Sequence, residues 1–117
     1  MQTETRTTID RTTTSGGTSI SVMRFTGDIS SASKESVLGA WQTVSGNGPV
    51  LLDFSKVEYI NSSGIGLIIT MLMEADKSGQ KVAVFGLTPH FQKVFTMVGI
   101  GKYAGLHKDQ ETAAASL

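Results

Sequence analysis

Cysteine is absent from all 117 residues. This rules out a disulfide framework, a thiolate nucleophile and a cysteine-ligated zinc site, and it is compatible with a reducing compartment. Charge imbalance is missing too: lysine plus arginine total 10, aspartate plus glutamate total 10, and the formal net charge is zero. Non-specific nucleic-acid binding needs a strongly cationic surface to displace counterions, so nucleic acid is not an expected partner. No block of like charges occurs, which excludes an acidic tail or a basic arm. The longest apolar run, Ile65 to Met73, is broken by Gly66 and Thr70 and is too short to cross a bilayer. The opening stretch MQTETRTTIDRTTTSGG lacks the apolar centre of a secretory signal. The expectation is one cytoplasmic domain spanning residues 1–117, long enough to bury a core without cross-links.

The apolar residues that remain are patterned. Residues 3–14 are rich in threonine and carry one apolar residue, Ile9, which fits an edge strand or a loose tail. Ser15-Gly16-Gly17 signals a turn. Residues 18–25 read as a strand with Ile20 and Val22 on one face and Met23 and Phe25 on the other, so both faces need cover. The serines at 30, 31 and 33 are candidate caps for a helix over about 33–45 with a stripe of Val37, Ala40, Trp41 and Val44. Pro49 to Phe54 is a nearly continuous apolar run, as in a buried parallel strand. A second helix starts at Ser62-Ser63-Gly64 and reaches about Ser78-Gly79, with Ile65, Ile68, Ile69, Leu72 and Ala75 on one face. Lys81 to Gly86 is a strand. Thr88-Pro89 begins a third helix with Phe91, Val94, Phe95 and Val98 as its core stripe and Gly99 as its stop. A weak strand near 102–106 and a short helix from Asp109 follow. Helices alternating with buried strands imply parallel crossovers, and the N-terminal strand pair adds an antiparallel element. The expected fold class is therefore α/β, with a mixed, mostly parallel sheet.

Residues suited to catalysis are sparse. His90 and His107 lie on different late segments without metal-ligand spacing to a carboxylate, and both read as surface residues. No phosphate-binding loop or dinucleotide fingerprint is present, since Gly64-Ile65-Gly66 is a two-glycine fragment inside a helix. The chain reads as a binding module, not an enzyme, with no cofactor and no metal. The informative stretch is Asp53-Phe54-Ser55-Lys56-Val57-Glu58-Tyr59-Ile60-Asn61-Ser62-Ser63-Gly64-Ile65-Gly66. It runs from a buried strand through a short connection into a helix whose first residues carry hydroxyls. Either Asn61 or Ser62 suits the cap. Glycines at 64 and 66 each disfavour helix by roughly 1 kcal/mol, which points to a close approach at this turn.

That stretch resembles the signature of STAS domains, specifically the bacterial anti-sigma-factor antagonists. Phe25-Thr26-Gly27-Asp28-Ile29 upstream and Thr88-Pro89 through Phe95-Thr96-Met97-Val98-Gly99-Ile100 downstream extend the resemblance over most of the chain. It implies a four- to five-stranded sheet with helices packed mainly on one face. It also implies that Ser62 is the acceptor phosphorylated by an anti-sigma serine kinase of histidine-kinase-like ATPase fold. In such a cycle the unphosphorylated antagonist binds that kinase, and a metal-dependent serine phosphatase resets the switch. Two positions depart from the family pattern. Asn61 stands where an aspartate usually precedes the acceptor, and Ser30 replaces the second upstream acid, leaving Asp28 as the first. An interaction or accessory subunit that is not phosphorylated, in a transporter or signalling complex, is the alternative.

The expected partner surface surrounds Ser62: Asp28, Ser30, Asn61, Ser63 and Gly64, with Leu67 and Met71 as an exposed apolar pair on the next helix turns. A phosphate on Ser62 would add about −1.5 to −2 charges at the positive end of a helix, so the switch is expected to act on docking and not on the fold.

Overall fold

The computed structural model describes residues 5–117; residues 1–4, where the expected edge strand or tail begins, lie outside the described residues. The threonine-rich stretch forms strand β1 (Arg6–Thr13), antiparallel to β2 (Ser19–Thr26). Gly17 turns the chain between them at φ 87°. A 3-10 turn at Ser31–Ser33 leads into α1 (Lys34–Val44), and then β3 (Val50–Lys56) runs parallel to β2. Helix α2 (Ser62–Lys77) crosses to β4 (Val82–Phe85), and α3 (Pro89–Met97) crosses to β5 (Gly105–His107), both parallel additions. Helix α4 (Gln110–Ala115) closes the chain. The sheet order is β1-β2-β3-β4-β5, with β1 at one edge.

Both faces of the sheet are covered, unequally. Met23, Phe25, Leu52, Phe54 and Val84 meet Val37 and Trp41 of α1, Ile68 and Leu72 of α2, and Phe91 and Phe95 of α3 in the main core. Phe25 stacks on Phe54 at 4.9 Å, and Phe95 meets Phe54 edge-on at 5.6 Å, an offset arrangement that aromatic quadrupoles favour. On the opposite face Ile20, Val22, Leu51, Ala83 and Phe85 lie under α4 and the residues after it, which offer Ala113 with part of Ala114 and of Leu117. The mixed, mostly parallel five-stranded sheet with three of its four helices on one face is the expected fold class. β1 is an edge strand in which no residue is buried. One core assignment fails: Val98 is 47% exposed, because α3 ends at Met97 and Gly99 turns the chain at φ 84°, which swings Val98 off the core stripe.

The buried polar residues of the second face are paired. Asp53 accepts from Arg24 at 2.7 Å through one oxygen, and from the Ser55 N–H and hydroxyl at 2.8 and 2.6 Å through the other. Arg24 also bonds Asp10 at 2.6 Å and Gln110 of α4 at 3.1 Å. Its carboxylate partners, Asp10 first, raise the guanidinium pKa above its ordinary value. Asp53 is therefore a buried carboxylate with both oxygens hydrogen-bonded, as its burial demands.

Candidate functional site

The turn between β3 and α2 is built by two constraints. Val57 and Ile60 are buried and anchor the connection, while Tyr59 between them stands 51% exposed and meets Phe91 edge-on at 6.2 Å. Backbone bonds then strap the turn to the loop after β2. The Ile29 N–H donates to the Tyr59 carbonyl and the Asn61 N–H donates to the Ile29 carbonyl, both at 3.0 Å, forming a parallel bridge between Ile29 and Ile60. Segments about 30 residues apart in sequence thus meet at the residue that precedes the helix.

Asn61 is the cap. Its backbone is extended and its Oδ1 accepts from the Gly64 N–H at 2.8 Å, which satisfies one of the free donors at a helix start. Ser62 and Ser63 are therefore the first two helical residues. Both are exposed, and among the described residues neither hydroxyl makes a hydrogen bond. A hydroxyl held on the first turn of a 16-residue helix, facing solvent and beside unpaired N–H groups, offers a reachable nucleophilic oxygen where negative charge is favoured.

The two glycines have different reasons. A Cβ at Gly64 would lie 2.4 Å from the Ile29 carbonyl oxygen and 2.9 Å from Ile60 Cγ2. The close approach is intramolecular: Gly64 is where the strap passes. A Cβ at Gly66 would meet nothing within 4 Å, so the fold does not require glycine there.

Several expected contact residues take other roles. Ser30 is buried, and its hydroxyl caps the 3-10 turn in a reciprocal box with Ser33. It is a structural residue and not part of an open surface. Gly64 is buried under Ile29. Met71 is fully buried in the main core and Leu67 packs half-buried against it, so the exposed Leu67–Met71 pair does not exist. The buried face of α2 comprises Gly64, Ile68, Met71, Leu72 and Ala75, so Met71 lies inward with Gly64, which presses on Ile29. The exposed stripe beneath Ser62 consists instead of Gly66, Thr70 and Met73, at helical spacings of four, four and three. The Thr70 hydroxyl is turned back onto the Gly66 carbonyl at 2.9 Å. Asp28 is half-buried in the strapped loop, and its carbonyl accepts from Thr5.

Sequence reasoning passed over Tyr59, whose position between two buried residues of the same short connection marks it as an outward-pointing ring. His90 is exposed, as expected, and His107 is half-buried. Among the described residues no group of three His, Asp or Glu side chains could hold a metal ion, and no helix is long and apolar enough to cross a membrane.

Comparison with known proteins agrees with this fold. The family model described as "Mlab, STAS domain" matches residues 13–108. No curated protein sequence matches the chain. Among solved structures, an anti-sigma factor antagonist from Mycobacterium paratuberculosis superposes with a TM-score of 0.79 at 18% identity, over 97% of this chain and 93% of that one. The anti-sigma factor antagonist SpoIIAA in its unphosphorylated form gives 0.69 at 17% identity over 94% of both chains. A sulfate transporter family protein from Wolinella succinogenes gives 0.68 at 11% identity, over 83% of this chain and 84% of that one. At these identities the likeness is one of fold.

Proposed function

The chain belongs to the STAS domain family, and on that premise we propose that it is a protein-binding module whose docking is switched by phosphorylation of Ser62. In this reading it is an anti-sigma-factor antagonist: unmodified, it binds an anti-sigma serine kinase in the cytoplasm, and a metal-dependent serine phosphatase restores that state. The observation that carries the reading is the exposed, unbonded Ser62 hydroxyl on a turn fixed by the Asn61 cap and the Ile29 strap. Two solved anti-sigma factor antagonists share the fold over nearly the whole chain.

The physics of the switch follows from charge. A phosphate on Ser62 would face the N–H groups of the first turn, an interaction worth about 0.3–1 kcal/mol at an exposed helix start. The modified protein stays folded. A partner seated over Ser62, Gly66, Thr70 and Met73 meets a bulky dianion at its rim and is repelled. Incubation with the cognate kinase and ATP, read by intact mass, should add one phosphate to the wild type and none to Ser62→Ala. Absence of modification in both would reject the switch.

Asn61 and Ser30 support a second reading, an accessory subunit docked without phosphorylation. Asn61 brings no charge beside the acceptor, and Ser30 is a buried cap. The sulfate transporter family neighbour has the same fold. Partner binding that is unchanged in Ser62→Glu selects this reading over the first.

A further inference from the structure

A different surface emerges on α3, with none of the Ser62 stripe among its residues. Between Gly86 and Lys108 the chain carries Lys93, Lys102 and Lys108 and no aspartate or glutamate, although the whole protein is neutral. This stretch holds Met97, 78% exposed, and Val98, 47% exposed. Beside them runs a groove of about 500 Å³ lined by Leu87, Pro89, Gln92, Lys93, Thr96 and Met97. Lys93 and Met97 are one helical turn apart on the same wall. Lys102 folds its stem back so that its Cδ would lie 3.8 Å from a Cβ at Gly99, which brings a second cation to the end of α3. Both lysines are exposed, and neither forms an ion pair among the described residues.

We propose that the outer face of α3 is a second docking surface, which takes an acidic segment of a partner protein with an apolar side chain seated in the groove. Three features select that occupant. Two unpaired lysines flank the apolar knob, so a carboxylate-bearing partner gains attraction on both sides and a basic one is rejected. The groove is shallow and open, which suits a single short apolar side chain. A bilayer is flat, and recognition of an anionic one normally takes a cluster of four to eight basic residues. Methionine adapts its shape to varied apolar neighbours, as a docking knob must.

The test titrates the full chain, labelled with nitrogen-15, with a short amphipathic peptide of leucine and glutamate, and with its counterpart in which every glutamate is lysine. The acidic peptide should shift the amides of Leu87, Lys93, Thr96, Met97 and Val98. Met97→Asp and the Lys93→Glu, Lys102→Glu pair should each weaken it by about tenfold while Ser62→Glu leaves it unchanged. These positions are exposed, so the variants should melt with the wild type, which separates lost docking from lost fold. Equal binding of the lysine peptide, or no shifts at these residues with millimolar acidic peptide, overturns the proposal. Binding to phosphatidylcholine–phosphatidylglycerol vesicles in place of the peptide makes the occupant a membrane. Concentration-dependent shifts of the same amides without peptide make it a second copy of the chain. Either of these also overturns the assignment.

Discussion

Adding one methyl group to each of the two glycines at the start of α2 should move stability in opposite directions. At Gly66 the new Cβ meets nothing within 4 Å. Gly66→Ala therefore gains only helix propensity, about 0.8–1.0 kcal/mol. At Gly64 the same methyl would lie 2.4 Å from the Ile29 carbonyl oxygen and 2.8 Å from its carbon. Those are backbone atoms held by bonds to Tyr59 and Asn61, so the strap must shift as a unit. Overpacking of this kind typically costs about 1–3 kcal/mol, and each displaced backbone bond adds about 0.5–1.5 kcal/mol. The propensity gain offsets about one such bond, and with one bond displaced Gly64→Ala should lose about 1–3 kcal/mol net. For a domain of this size about 4 °C of melting temperature accompanies each kcal/mol. Gly66→Ala should thus melt about 3–4 °C higher and Gly64→Ala about 4–12 °C lower. Urea unfolding followed by far-UV circular dichroism should show the two midpoints on either side of wild type with an unchanged slope. A Gly64→Ala protein as stable as wild type would refute the close approach. A destabilised Gly66→Ala would refute the open space above it. If the proposed partner seats on Gly66, the stabilised Gly66→Ala protein should nevertheless bind it more weakly.

The remaining predictions concern other parts of the same framework. Met71→Ala should cost about 2–5 kcal/mol in chemical denaturation, the range for emptying a fully buried methionine site; a cost under 1 kcal/mol would return Met71 to the surface. Asp53→Ala removes acceptors from Arg24 and from Ser55, and should cost about 1–3 kcal/mol by urea unfolding, because Arg24 keeps its bond to Asp10. Hydrogen bonds from Thr112, the backbone N–H foremost, hold the Asp109 carboxyl below its ordinary value of 3.8. Its folded pKa is depressed, so its contribution to α4 is present above the unfolded value and is lost as pH falls through the folded one. Amide shifts of Thr112 and Ala113 should therefore move together below about pH 4, and Asp109→Asn, which still caps, should abolish that titration.

Much of the fold could be read from local pattern. The apolar run at Pro49–Phe54, the two-sided strand before Phe25 and the Thr88-Pro89 helix start all report their own surroundings, and each element lies within a few residues of its expected place. The Asn-Ser-Ser-Gly turn was equally legible, because capping chemistry is local. The errors have two physical causes: one is a contact distant in sequence, and the others are local choices among several residues that suit the same role. Gly64 hinted at a close approach, but only the tertiary fold shows that the approaching atom is the Ile29 carbonyl. Gly64 and Met71 lie on the same buried face of α2. Ser30 looked like a lost acid because its bond with Ser33 cannot be distinguished from several other serine caps in the same run. Val98 fits the periodicity of α3, yet the left-handed turn at Gly99 ends the helix before it.

The backbone bridge between Ile29 and Ile60 has a kinetic consequence. Three pieces of chain, from the loops after β2 and β3 and from the first turn of α2, are fastened into one rigid body before any partner arrives. The backbone of these segments is already tied in place, so association escapes the part of the entropic toll that mobile loops exact. If Ser62 carries the proposed phosphate, the mark is legible as soon as it is placed, and erasing it needs no refolding. The response time would then belong to the enzymes that write and remove the mark, not to relaxation of the domain that carries it.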